Sequence, residues 1–196
     1  MFAPKGILGP AAVIVLGTVL TACIHENKYR AELASPLNNA ETGVIIISAG
    51  SPTPCHALGT PTGLHILPAS GPFFPYRAVA TLEVDSQYME SDFLDHHGGL
   101  SVLQLPPGKY VLVPFAMNPY VHYFRPPKAD FEVYANETAY LGEFFMPACE
   151  GDAGMGFLDQ EARDLALLVE KNPAFANVPI TKRLLMFTGR QPFWPF

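Results

Sequence analysis

The chain has 196 residues, 49% hydrophobic and 15% charged, with 20 Pro, 16 Gly and a formal net charge of −6. A charged share below the usual ~25%, together with 14 Phe and 8 Tyr to bury, excludes bulk disorder, and the unperiodic Pro and Gly exclude collagen-like and coiled-coil designs. An acidic balance without a basic run argues against nucleic acid as a partner and against a polybasic membrane patch.

In chain order, residues 7–20 (ILGPAAVIVLGTVL) follow the cationic Lys5. That apolar run suits a secretory signal core and falls short of the roughly 20 residues that span a bilayer. Leu20-Thr21-Ala22-Cys23 comes next and resembles the lipobox of bacterial lipoproteins, which implies cleavage before Cys23 and acylation of its thiol. Acyl chains stabilise membrane attachment by about 0.8 kcal/mol per buried CH₂. The expected organisation is a signal peptide over 1–22, a lipidated terminus and polar tether over 23–41, and a single domain over 42–196. The expected address is the periplasmic side of a bacterial envelope membrane, with the outer membrane favoured. Cys55 and Cys149 then remain, and an oxidising compartment permits them to pair; separately buried thiols or a reactive thiol are the alternatives.

Residues 43–49 (GVIIISA) read as a buried strand. The 51–75 segment, rich in Pro and Gly, reads mostly as turns with a short extended piece over 64–67, and a strand resumes over 77–84. The acidic, histidine-containing stretch 85–97 interrupts the pattern. Over 100–115 (LSVLQLPPGKYVLVPF), Pro107 and Gly108 fit the central positions of a type II turn, making a tight hairpin or an inter-sheet turn. Strands over 131–134 and 138–145 flank Asn136-Glu137, whose Asn tolerates positive φ. A helix over 160–171 carries Ala162, Leu165, Leu168 and Val169 at helical spacing, capped by Asp159 and ended by Asn172-Pro173. A last edge strand is expected over 183–187. Two successive hairpins and one late helix predict a mainly β fold, an antiparallel β-sandwich of prealbumin- or immunoglobulin-like type with an α-helix in its C-terminal half.

The sequence Leu105-Pro106-Pro107-Gly108-Lys109-Tyr110, followed by Phe131-Glu132-Val133-Tyr134-Ala135-Asn136-Glu137-Thr138-Ala139-Tyr140-Leu141-Gly142, resembles the pattern L-P-x-G-x-Y … F-x-V-x-x-G-E-x-x-Y-x-G. That pattern belongs to small uncharacterised bacterial lipoproteins with a transthyretin-like or carboxypeptidase-regulatory-like β-sandwich. The resemblance covers residues 78–145, with a weaker echo in the Asp-x-x-x-Leu pattern of the late helix. Asn136 stands where the family has Gly, and both residues adopt positive φ. The resemblance implies an envelope location and no catalytic residue or cofactor.

Asp92, Asp95, His96 and His97 form the densest set of ionisable residues, the residue types that bind zinc, iron or manganese, with His122 or His65 available to complete a site. The bland reading is a solvated loop. HExxH, GxSxG, a phosphate-binding Gly loop and paired CxxC units are all missing from the sequence, so no enzyme class is supported. Tyr120, Tyr123, Phe124 and Tyr134 could form a binding face or fill the sandwich rim. The tail Gln191-Pro192-Phe193-Trp194-Pro195-Phe196 is expected to dock. The composite expectation is a lipid-anchored envelope module that is structural or binds a protein or glycan; the alternative is an envelope metal-binding protein or enzyme built on residues 92–97.

Overall fold

A computed structural model describes residues 41–52, 62–70, 78–85, 89–118, 120, 123, 125–149 and 154–191. It is mainly β, with two five-stranded sheets face to face and one α-helix late in the chain. The described residues form ten strands: β1 (Gly43–Ser51), β2 (Thr62–Pro68), β3 (Ala80–Asp85), β4 (His97–Leu105), β5 (Gly108–Ala116), β6 (Pro127–Val133), β7 (Thr138–Phe145), β8 (Gly156–Leu158), β9 (Ile180–Lys182) and β10 (Gly189–Arg190). The helix α1 (Glu161–Lys171) runs into a single turn of 3₁₀ helix, Pro173–Asn177. Among the described residues, no helix is long and apolar enough to cross a membrane.

Sheet one has the order β4-β1-β7-β8, with β9 also paired to β7. β1 is antiparallel to β4 and parallel to β7, and β9 is parallel to β7. This sheet is therefore mixed, where the local turns alone suggest antiparallel pairing throughout. Sheet two has the order β10-β6-β5-β2-β3 and is antiparallel. Leu64, Ile66, Leu82, Leu112, Phe131 and Val133 of sheet two meet Ile45, Ile47, Leu103, Leu105, Leu141 and Phe144 of sheet one in the inter-sheet core. A second apolar cluster joins Val44, Ile46, Val102 and Tyr140, on the outer face of sheet one, to Leu168 and Phe175. β1 is thus covered on both faces, and all nine of its residues are buried. That explains why its sequence shows an apolar run and no alternation.

The two tight turns join different sheets. Residues 106–107 lead from β4 in sheet one to β5 in sheet two, and residues 134–137 lead from β6 back to β7. Neither closes a hairpin, because a turn motif specifies a local reversal and says nothing about which sheet the next strand enters. β5 does pair with β6, across the longer 117–126 connection. Gly108 has φ +157°, well away from the +80° of a type II turn, and already pairs with Val133 as the first residue of β5. The Tyr110 hydroxyl donates to the Pro106 carbonyl at 2.7 Å and braces this crossing. Asn136 has φ +58°, as its position in the turn requires.

Other differences are local. β2 is a full seven-residue strand inside the Pro- and Gly-rich segment, because only the residues flanking Leu64–Leu67 carry turn chemistry. Residues 183–188 form no strand; β9 and β10 flank them instead. The Arg183 and Leu185 N–H groups donate to the Tyr140 and Leu141 carbonyls, so this segment is stitched to β7 without a continuous ladder. The residue capping α1 is Gln160, and its side chain makes no capping bond. Asp159 accepts from Glu161 N at 3.4 Å and pairs with Lys182 at 2.5 Å.

Candidate functional site

Among the described residues, a densely connected polar group lies between the outer face of sheet one and α1. Its position depends on an irregularity in β7. Ile46 stands opposite Tyr140, yet Ser48, two residues on, stands opposite Glu143, three residues on. β7 therefore carries one extra residue, with Gly142 at φ +97°. A bulge of this kind shifts the alternation by one. In a regular strand Glu143 would enter the inter-sheet core; here it shares the outer face with Tyr140 and Ser48, and Phe144 takes the core position.

From the other side, α1 presents Asp164 one turn before Leu168, so both point inward. Asp164 is fully buried, and Glu143 is 1% exposed. The Asp164 carboxylate accepts from Ser48 Oγ at 2.5 Å and from the Tyr140 hydroxyl at 2.8 Å through one oxygen. Its other oxygen accepts from Arg163 Nε and Nη2 at 2.9 and 2.7 Å. Arg163 Nη2 also lies 3.1 Å from Glu143 Oε1. The Tyr140 hydroxyl in turn accepts from Gln160 N at 3.2 Å, which ties the residue before the helix to sheet one. Burial, then the bond to Asp164 and its charge, push the Tyr140 phenol far above the ordinary tyrosine range. Burial pulls the Arg163 guanidinium down, but its bonds to Asp164 and Glu143 outweigh that and raise it.

His96 extends this seam to the surface. Its Nε2 is 2.8 Å from Glu143 Oε1 and its Nδ1 is 2.7 Å from Asp95 Oδ1. The ring stacks on Phe93 at 4.5 Å, meets Phe145 edge-on at 5.9 Å and lies against the backbone of Gly50, where an added Cβ would stand 2.5 Å from its Cδ2. The bond from His96 holds the Asp95 carboxyl below the usual carboxylate range.

The four residues of the candidate metal set separate. Asp92 accepts from Leu100 N at 2.9 Å and pairs with Lys171, Asp95 and His96 pair with one another, and His97 turns toward Asp85, 3.4 Å away. His65 belongs to sheet two, stacked on Phe115 and 3.0 Å from Thr81 Oγ1, and His122 lies outside the described residues. Among the described residues, no three His, Cys, Asp or Glu side chains are placed to hold a metal ion.

The tyrosines divide between the two ends of the sandwich. Tyr120 is exposed and Tyr123 reaches Thr62 Oγ1 at 3.0 Å, both before β6. Tyr134 follows β6, some 20 Å away along a seven-residue strand, where it lies under the Arg183 guanidinium. Phe124 lies outside the described residues, as do Cys23, Cys55 and residues 192–196. Cys149 is disulfide-bonded.

Ser48, Glu143 and Arg163 belong to no motif of the sequence, and Asp164 enters only as the first residue of the Asp-x-x-x-Leu pattern. Two signals pointed to them. A Gly inside an otherwise apolar strand marks a bulge, and Asp164 falls on the same helical stripe as Leu168. No protein-family model matches this chain, and no curated protein or solved structure matches it either.

Proposed function

We propose that the protein is a lipid-anchored module of the bacterial cell envelope that binds an envelope protein or glycan, within the group of small lipoproteins its motifs resemble. One observation carries the reading: the two ends of the sandwich differ. The chain enters β1 at Gly43, at the end that carries the tight turns 106–107 and 134–137 together with one longer connection, 69–79. The tether from Cys23 therefore joins at that end. The connections 52–61, 86–96, 117–126 and 146–155 all leave the opposite end, where loops on a rigid scaffold carry recognition. The buried seam supports a binding role over a catalytic one, since Ser48, Glu143 and Asp164 are closed to solvent and Asp164 is saturated with hydrogen bonds. With Cys23 acylated, Cys55 is the cysteine left for Cys149. β1 and β7, the last described strands before each of these cysteines, end side by side, Met146 N donating to Gly50 O at 2.9 Å.

The test is metabolic labelling with palmitate, followed by fractionation and purification from detergent-solubilised membranes. The wild type is expected to carry label in the membrane fraction and to co-purify a stoichiometric partner; Cys23→Ala is expected to lose both label and membrane. Label that survives in Cys23→Ala, or one equivalent of zinc or iron in the purified sample, would overturn the reading.

A further inference from the structure

The seam ends in a loop whose geometry is fixed far more tightly than its length requires. Residues 91–96 lead into β4, and four of the six are tied down. Ser91 Oγ accepts from Phe93 N and Gly98 N, each at 3.2 Å, and donates to the His96 carbonyl at 2.9 Å. The Asp92 carboxylate holds Leu100 N and Lys171, while its own N–H reaches Gly98 O at 2.8 Å. Phe93 is 7% exposed, with the Arg163 guanidinium 3.9 Å above its ring and the His96 ring stacked beside it. His96 is pinned to Glu143 of β7.

What this lock leaves outside is Leu94, fully exposed at 109%, and the Asp95 side chain, 78% exposed. A single exposed leucine on a mobile surface needs no explanation. This one is presented on a loop whose base uses buried charges, and buried charges are poor sources of stability. Their gain here is one conformation, and preorganisation of that kind strengthens binding by removing the ordering cost of a loop. Asp95, directly after Leu94, carries its carboxylate at the same tip while bonded to His96 at 2.7 Å, and Glu90, four residues before Leu94, is exposed; the cations of this loop, Lys171 and Arg163, lie at its base on Asp92 and Phe93.

We propose that the Leu94-Asp95 tip is the recognition element of the module, and that its partner is a protein segment offering an apolar pocket bordered by Lys or Arg. This rests on the binding role proposed above and names the chemistry of the partner.

The test is a selection of randomised displayed peptides against the folded wild type, with the enriched peptides then measured on Leu94→Ala, Leu94→Lys and Ser91→Ala. Enriched peptides are expected to combine an aliphatic or aromatic cluster with Lys or Arg. Leu94→Ala should weaken them about tenfold and Leu94→Lys should abolish binding, both with an unchanged denaturation midpoint, in line with truncating an interface anchor. Ser91→Ala keeps the tip chemistry and loosens its base, so it should weaken binding by a few-fold, mainly through slower association. Peptides that ignore the Leu94 substitutions, a selected set without basic residues, or no enrichment at all would each overturn the proposal. The two proposals fail separately. A native partner still retained by the anchored Leu94→Lys chain would remove the tip and leave the envelope module standing, whereas Cys23→Ala acts on the anchor alone.

Discussion

The two faces of sheet one are built from different chemistry. On the inner face Ile45, Ile47 and Ala49 of β1 meet sheet two through apolar contacts, and polar groups gather at the end of the strand, where His97, opposite Ser51, faces the fully buried Asp85 of β3. On the outer face the same strand begins with Val44 and Ile46 but ends with Ser48 in a cluster of buried charges. Burial of an Ile side chain contributes about 1.5–3 kcal/mol wherever it packs, and an apolar face tolerates small shifts. A buried carboxylate is favourable only when every partner is in place. The inner face therefore supplies cohesion, and the outer face specifies where α1 and the 91–96 loop must dock.

The sharpest way to break this comparison is to remove one member of the seam. Asp164→Leu strands Arg163, Ser48 and Tyr140 and should cost about 3–5 kcal/mol in urea denaturation. Replacing the group together with the histidine that joins it (Ser48→Ala, His96→Phe, Tyr140→Phe, Glu143→Leu, Arg163→Met, Asp164→Leu) should return stability to within about 1 kcal/mol of wild type or above it. On the inner face, Ile47→Ala should cost about 2–5 kcal/mol by opening a cavity, and no polar substitution nearby should rescue it. Rescue on both faces, or on neither, would erase the distinction.

Next in size is the bulge that aims Glu143. An alanine at position 142 would have to adopt φ +97° with its Cβ 3.0 Å from the Leu158 carbonyl oxygen, so Gly142→Ala should cost about 1–3 kcal/mol. Amide exchange should quicken at Glu143 and across the 91–96 loop while the inner strands β2 and β5 stay protected. Uniform quickening would mean that the bulge matters to the whole sandwich and not to the seam.

How much of this was legible in the sequence follows from the same contrast. β7 was readable to the residue and α1 to within one, because apolar runs and Asn-Pro punctuation are local signals. The two-sheet fold followed from them. The destination of each strand after the 106–107 and 134–137 turns was not readable, since crossing between sheets and folding back within one use the same Pro, Gly and Asn chemistry. The seam was hidden for another reason: Asp164 shares a helical stripe with Leu168, but the helix sequence does not say which strand residues it meets, and strand alternation puts Glu143 on the wrong face until one residue is inserted. The cluster that did attract notice, Asp92 to His97, divides: Asp92 and His96 brace the 91–96 loop, Asp95 pairs with His96 at its exposed tip, and His97 faces Asp85.

Tyr140 offers a smaller and more selective probe of the seam. Its phenol is pushed up by burial and by Asp164, so the folded chain favours the protonated form. That stabilisation is complete below the unfolded tyrosine value of about 10 and is lost as pH climbs above it. Ultraviolet titration should show one tyrosine that ionises only on alkaline unfolding. Tyr140→Phe should abolish that component and cost about 1.5 kcal/mol at neutral pH, the lower end of the range for a hydrogen bond to a charged group, with Gln160 N losing its acceptor as well. A full complement of tyrosines ionising in the native state would contradict the buried bond.

The smallest expected effect lies on sheet two, away from the seam. Burial there pushes the Asp130 carboxyl up, but bonds from Thr188 Oγ1 at 2.5 Å and Lys128 Nζ at 3.0 Å outweigh it and leave it below its ordinary value. A depressed carboxylate contributes stability that is fully present above its unfolded value of about 3.9 and fades as pH falls through the lower folded value. Thr188 also ties the approach to β10 onto β6 through the Lys128 carbonyl. Acidification below about pH 4 should therefore loosen the 188–191 segment first, seen as faster amide exchange at Thr188 and Gln191, while α1 stays docked. Asp130→Asn should show that faster exchange already at neutral pH and flatten its acid dependence. Because Asp130 is partly open to water, solvent screening keeps the effect on global stability small. Simultaneous release of α1 and 188–191 at the same acid pH would show instead that the two sheets share one acid-sensitive element, and the separation of cohesion from docking would fail at its weakest point.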